Sequence, residues 1–221
     1  MSDEIVEVIG IAKGGISHLD LAYPGKPDAV SETALIGLMK QVGSALVHLN
    51  LSGNKNLTNT FLTDGIRAHA RVLETLKLAN LELLTDEGVA HFFTTWSRSK
   101  KNPPLECIDL SRNHELSSAA LDALLLHSGP RLEMLNINAW KLVSQEALMN
   151  ISEHAPKLVK IDLGFCRATD DFIIKALMEE CEHLKEIKCW GCNLVAGAFP
   201  RKVCRFGILY DGALTSALRK M

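Results

Sequence analysis

Among residues able to do chemistry, the sharpest local pattern is Cys189-Trp190-Gly191-Cys192, with Cys181, His183 and Cys204 close by. A C-x-x-C pair suits a thiol redox couple, or half of a tetrahedral zinc site that a second Cys or His pair would complete. No second C-x-x-C and no closely spaced His pair follows. The chain has eight histidines, but G-x-S-x-G, H-E-x-x-H and G-x-x-x-x-G-K-[ST] are all missing from it. His91, His127, His154 and His183 fall on or at the ends of predicted helices, which assigns them surface or helix-terminal places. Gly10, Gly14 and Gly15 precede the first predicted strand instead of following one, so they do not form a phosphate-cradling turn. The expectation is a protein without catalytic residues, metal or cofactor.

The elements that would position any site are set by an internal repeat. Residues 46–57 read LVHLNLSGNKNL and place Leu46, Leu49, Leu51, Asn54 and Leu57 on the template L-x-x-L-x-L-x-x-N/C-x-x-L. The same spacing returns as Leu73, Leu76, Leu78, Leu81 and Leu84, as Leu105, Ile108, Leu110, Asn113 and Leu116, and as Leu132, Leu135, Ile137, Trp140 and Val143. Two further copies are Leu158, Ile161, Leu163, Cys166 and Thr169, then Leu184, Ile187, Cys189, Cys192 and Val195; Ile16, Leu19 and Leu21 make a degenerate first copy. The starts at 16, 46, 73, 105, 132, 158 and 184 are 30, 27, 32, 27, 26 and 26 residues apart. Each L-x-L alternates as a short strand, and the helix after it opens on a hydroxyl at Thr85, Ser117, Ser144 or Thr169. Leu121, Leu124 and Leu125, or Phe172, Ile173, Ala176 and Leu177, recur at helical spacing and would face the strands. One repeat cannot bury that face alone, whereas stacked neighbours can. The predicted fold is an α/β leucine-rich-repeat solenoid, a horseshoe arc with a parallel sheet on the concave side and helices on the convex side.

In this frame 1–221 is a single domain of about seven repeats, with an N-terminal cap over 1–15, repeats over 16–196 and a C-terminal cap and tail over 197–221. The long third copy carries an inserted loop, Ser97 to Pro104, and the apolar run from Phe206 to Tyr210 is a closing strand. Cys189 falls on an inward strand position and Cys192 on the Asn/Cys position shared by Cys166, so both are read as buried spacers.

Composition fits this frame. The 34 leucines far outnumber 7 Phe, 3 Trp and 2 Tyr, so leucine fills the core. A hydrophobic fraction of 47% excludes wholesale disorder. No apolar run approaches the roughly 20 residues of a membrane span. Asp3, Glu4 and Glu7 stand where a signal or transit peptide would be basic and apolar, so an intracellular protein is expected. The six cysteines are then reduced thiols, and the N-x-Ser/Thr triplets at Asn50, Asn56 and Asn150 are coincidences. A net charge of −2 supplies no global drive toward nucleic acid.

Outward strand positions form the natural binding face of a solenoid. Their central column is Asp20, Asn50, Lys77, Asp109, Asn136, Asp162 and Lys188, beside Ala22, Ser52, Ala79, Ser111, Asn138, Gly164 and Trp190. Mixed charge and one exposed Trp suit a protein partner, so Lys77, Asp109, Asn136, Asp162, Lys188 and Trp190 are the candidate site. Contact with nucleic acid would fall to Arg98, Lys100, Lys101, Arg201, Lys202 and Arg205.

Repeats near 26 residues with Cys166 and Cys192 at the Asn/Cys position resemble the cysteine-containing leucine-rich-repeat subfamily, which includes F-box substrate receptors and a mitotic-exit antagonist. The succession from Leu184 to Asn193, then Arg201, Lys202 and an apolar strand, is similar to the leucine-rich-repeat subunit family of fungal nucleotide excision repair. That resemblance implies a nuclear, non-catalytic adaptor, monomeric outside its complex, with a Swi/Snf-type ATPase and a cullin ubiquitin ligase as partners; a cytoplasmic receptor of the F-box or mitotic-exit type is the alternative. No F-box and no long polar region stand ahead of the repeats, so a fragment or short paralogue of such a subunit is expected.

Overall fold

The structure, a computed structural model, describes residues 2–11, 15–25, 30–97, 104–196 and 209–211. Its spine is a parallel sheet of eight three-residue strands in chain order: β1 (His18–Asp20), β2 (His48–Asn50), β3 (Thr75–Lys77), β4 (Cys107–Asp109), β5 (Met134–Asn136), β6 (Lys160–Asp162), β7 (Glu186–Lys188) and β8 (Leu209–Asp211). The predicted register holds through β1–β7, with Leu19, Leu49, Leu76, Ile108, Leu135, Ile161 and Ile187 side by side and buried. Parallel neighbours cannot be joined by a tight turn. Each strand from β1 to β6 therefore returns through a helical segment: α2 (Glu32–Val42), a π-helical stretch (Phe61–Arg67), α3 (Asp86–Ser97), α4 (Ser118–Ser128), α5 (Gln145–His154) and α6 (Asp171–Glu180), while α1 (Asp3–Ile11) precedes β1 and packs on α2.

Past each strand the chain turns in the same way. A buried residue (Leu21, Leu51, Leu78, Leu110, Ile137, Leu163, Cys189) is followed two positions on by a left-handed one. The N–H of that residue extends the ladder to the next repeat, from Tyr23 to Ser52 O, Gly53 to Ala79 O, Asn80 to Ser111 O, Arg112 to Asn138 O, Ala139 to Gly164 O and Phe165 to Trp190 O, at 2.6–2.9 Å. Glycine takes the left-handed place where the preceding repeat carries an aromatic residue there: a Cβ on Gly53 would lie 2.4 Å from the Tyr23 ring, and one on Gly191 2.5 Å from Phe165. Five other side chains accept a positive φ at a cost of about 1–2 kcal/mol each.

The Asn/Cys position satisfies the turn carbonyls. Asn54 donates to Leu21 O and Leu51 O, and Asn113 donates to Leu78 O and Leu110 O while its Oδ1 accepts from Leu81 N. Trp140 Nε1 reaches Leu110 O at 2.8 Å, Cys166 Sγ reaches Ile137 O, and Cys192 Sγ reaches Leu163 O.

Helix starts are bonded within and between repeats. Ser31, Thr85 and Ser144 cap their own helices, accepting from Ala34, Gly88 and Ala147 N–H. Two expected caps are corrected. Ser117 makes no cap bond; its N–H and hydroxyl both donate to Asp86 in the preceding repeat. Thr169 is buried against the Cys192 thiol, and Asp170 caps α6 through Ile173 N. Asp3 and Glu32 bond Ser31 and Thr58 as Asp86 bonds Ser117, so α1 packs as the helical half of a repeat.

Two side chains depart from the expected burial. Phe172 is 74% exposed, and Ile174 joins Ile173 and Leu177 in the core. His127 is buried, not superficial: its ring stacks on Trp96 at 4.8 Å, and Nδ1 bonds the Ser128 hydroxyl, which also accepts from Leu105 N. Phe92, Phe93 and Trp96 complete an aromatic pocket where α3 meets α4. Within the proposed insertion, residues 98–103 lie outside the described set. The closing strand is present as Leu209–Asp211, paired to β7.

Candidate interaction surface

Two columns of side chains line the concave face because each strand is three residues long with its middle residue inward. The column before the middle residue is His18, His48, Thr75, Cys107, Met134, Lys160 and Glu186; the one after it runs from Asp20 to Lys188. Sequence reasoning missed the first column, although its signal was legible: every residue just before the central Leu or Ile of an L-x-L strand must face outward. Its members interact along the sheet. The His18 and His48 rings stack at 5.8 Å, Cys107 Sγ meets Met134 Sδ at 3.4 Å, and Glu186 lies 3.4 Å from Lys160 and 3.3 Å from Lys188.

The second column divides by residue type. Asp20, Asn50, Asp109, Asn136 and Asp162 each accept from the backbone N–H two residues on, in Ala22, Ser52, Ser111, Asn138 and Gly164. These are Asx turns, which shape the chain as it leaves the strand. The same side chains bond across repeats: Asn50 to Asp20, Asn136 to Asp109, and Asn138 to Asp162, at 2.9–3.1 Å. Asp109, Asn136 and Asp162 are thus tied into the turn framework. Lys77 and Lys188 cannot accept an N–H and stay outside it. Lys77 forms no ion pair with a described residue, and Trp190 is 55% exposed. The neighbouring column, expected to face outward, is corrected in part: Ser52, Ala79 and Ser111 are buried beneath the next turn, and Ser52 Oγ accepts from Ala79 N. Arg98, Lys100, Lys101, Arg201, Lys202 and Arg205 lie outside the described residues.

Electrostatics follow this layout. The Ala22 N–H bond holds Asp20 below the usual carboxylate range, and partial burial followed by the Lys77 charge pushes His48 down. Lys188 and Lys160 keep Glu186 ionised. Burial pushes the Cys166 thiol up to about 12 and Cys181 to about 11, and it raises Cys192 as well. Thiols so far above neutrality are poor nucleophiles, and Cys166 and Cys192 are engaged on backbone carbonyls. No described helix is long and apolar enough to cross a membrane.

Strand register, turn ladder and one-sided helices define the class: an α/β leucine-rich-repeat solenoid with cysteines in the turn ladder. The chain is similar to two DNA repair proteins. The chain is 30% identical over 196 residues to DNA repair protein Rhp7 of Schizosaccharomyces pombe, covering 88% of this chain and 34% of that protein. It is 32% identical over 181 residues to DNA repair protein RAD7 of Saccharomyces cerevisiae, covering 80% and 31%. Among solved structures it is similar to the crystal structure of the Rad7 and Elc1 complex in yeast, with a TM-score of 0.74 and 27% identity over 89% of this chain and 47% of the matched one. No protein-family model matches the sequence. The chain spans about a third of the length of the two curated relatives.

Proposed function

We propose that the chain is a non-catalytic protein-interaction scaffold of nucleotide excision repair, working in the nucleus as a single leucine-rich-repeat unit inside a larger complex. The observation that carries this reading is the similarity to two DNA repair proteins over 80–88% of the chain, on a fold whose concave sheet is an unbroken display surface. The solved structure most relevant to a partner is a complex with Elc1, which favours an Elc1-like protein as one occupant. A Swi/Snf-type ATPase and a cullin ubiquitin ligase complete the partner set implied by the resemblance. In this reading Asp109, Asn136 and Asp162 shape the concave face, while Lys77, Lys188 and Trp190 meet the partner.

Affinity capture with the purified chain as bait, followed by mass spectrometry, tests the proposal. Recovery of an Elc1-like protein and an ATPase is expected, with capture lost in a Lys77→Glu, Lys188→Glu double variant whose Tm is unchanged. Recovery of an F-box ligase core or a mitotic GTPase in their place would support the receptor alternative and sink this reading.

A further inference from the structure

The carboxyl ends of β4–β7 carry a surface unlike that at the carboxyl ends of β2 and β3. Arg112 holds the left-handed turn position of its repeat, and His114, Lys141 and Arg167 occupy one equivalent position, two residues further on, in three successive repeats. All four are exposed, and none forms an ion pair with a described residue. The equivalent position in the two preceding repeats is neutralised, because Lys55 and Glu82 pair at 2.5 Å. From the left-handed residue onward through the next three positions, repeats four to seven present Glu115 as their one acid. Two aromatic faces interleave with the cations. Phe165 is 50% exposed with one side of its ring against Gly191, and Trp190 is 55% exposed and accepts the Phe165 N–H on its carbonyl. Phe165 holds this place at φ 60, a conformation that a bulky residue adopts only at a cost.

We infer that this edge binds an unpaired nucleic-acid strand, with Arg112, Lys141 and Arg167 tracking phosphates and Phe165 and Trp190 offering platforms for bases. Cations on adjacent rungs, roughly 5 Å apart, suit a flexible polyanion, and every unstacked base has a face that an exposed ring can cover. Duplex DNA hides those faces, and among the described residues no helix or ribbon projects from this edge to enter a groove. An acidic peptide would use the cations but not two flat rings. The inference goes beyond the scaffold reading and shares only Trp190 with it, so variants at Lys141, Arg167 and Phe165 let the two fail separately.

Fluorescence anisotropy of the purified protein with a labelled oligothymidylate of about 12 nucleotides is the test. Salt-sensitive binding is expected, with a hairpin duplex of equal length competing at least about tenfold less well. Lys141→Ala with Arg167→Ala should lower the slope of log affinity against log salt by about 1.4, at about 0.7 per phosphate contact. Phe165→Asn removes the ring but keeps a residue at ease with positive φ, so the fold persists; it should weaken binding about tenfold at an unchanged salt slope. Arg71→Ala, on another face, should leave binding as it was. The inference is overturned by absence of binding, by equal affinity for the duplex, by displacement of the strand by polyglutamate, or by indifference to Phe165→Asn. Any of these with partner capture intact leaves the scaffold reading standing.

Discussion

The turn ladder is built in two ways along the solenoid. In the first four repeats it uses Asn54 and Asn113, with an apolar Leu81 between them; in the last three it uses Trp140, Cys166 and Cys192. Asparagine bridges two repeats with two donated bonds, and Asn113 also accepts the Leu81 N–H. The indole and thiols each donate to a carbonyl of the preceding repeat. The position therefore asks for a donor that reaches the previous turn. Residue type decides how many other groups depend on it. Leu81 manages without a donor because its neighbour Asn113 supplies Leu78 O and takes its own N–H.

Removing these groups should grade the difference. Asn113→Ala carries the largest expected effect, roughly 4 kcal/mol, since it strands a buried N–H and a buried carbonyl together; urea unfolding measures it, and a loss under 1 kcal/mol would refute the account of Leu81. Trp140→Phe should follow at roughly 2–3 kcal/mol, combining a lost bond with a smaller ring in a filled site, while Leu110 O keeps Asn113.

The aromatic pocket between α3 and α4 has a pH signature. Burial pushes His127 down to about 4 from 6.5, so the unfolded chain takes up a proton first as pH falls. Stability contributed by neutral His127 is whole above pH 6.5, declines as pH drops toward 4, and is flat below that. Between pH 7 and pH 5 the loss should be about 2 kcal/mol, read as the difference in urea midpoint between the parent and a His127→Phe variant. A parallel pH dependence in the two proteins would remove His127 from the explanation.

The smallest effect is assigned to Cys192→Ala, about 1 kcal/mol, because a thiol is a weak donor. In the folded protein Cys166 and Cys181 should resist a thiol reagent at pH 8 and react fully in urea. Fast labelling of either would contradict the burial that raises them.

Much of the fold was legible because the repeat constrains inward positions. A Leu or Ile recurring every 26–32 residues as the first residue of an L-x-L can only be buried, and all seven are. Asp20, Asn50, Asp109, Asn136 and Asp162 were legible as an outward column. Their Asx turns follow from the Asp or Asn that ends each of these strands, whose side-chain oxygen accepts the N–H two residues on. Ser117 and Thr169 looked like caps by type, but an acid from the preceding repeat and a deeper burial claimed them. Phe172 misled because its helix begins at Asp171, which turns position 172 outward and gives its place to Ile174.

What the sequence determined by itself was the period, the strand register and the expectation of a solenoid, since local spacing of apolar residues settles which face must leave water. Tertiary structure decided which polar residues remain available. Asp109 and Lys188 share a column and differ in role because one can accept an N–H and the other cannot. Phe165 and Arg167, two residues in an ordinary-looking turn, stand beside Lys141 and Trp190 only because stacked repeats bring positions about 26 residues apart to one strand spacing, roughly 5 Å.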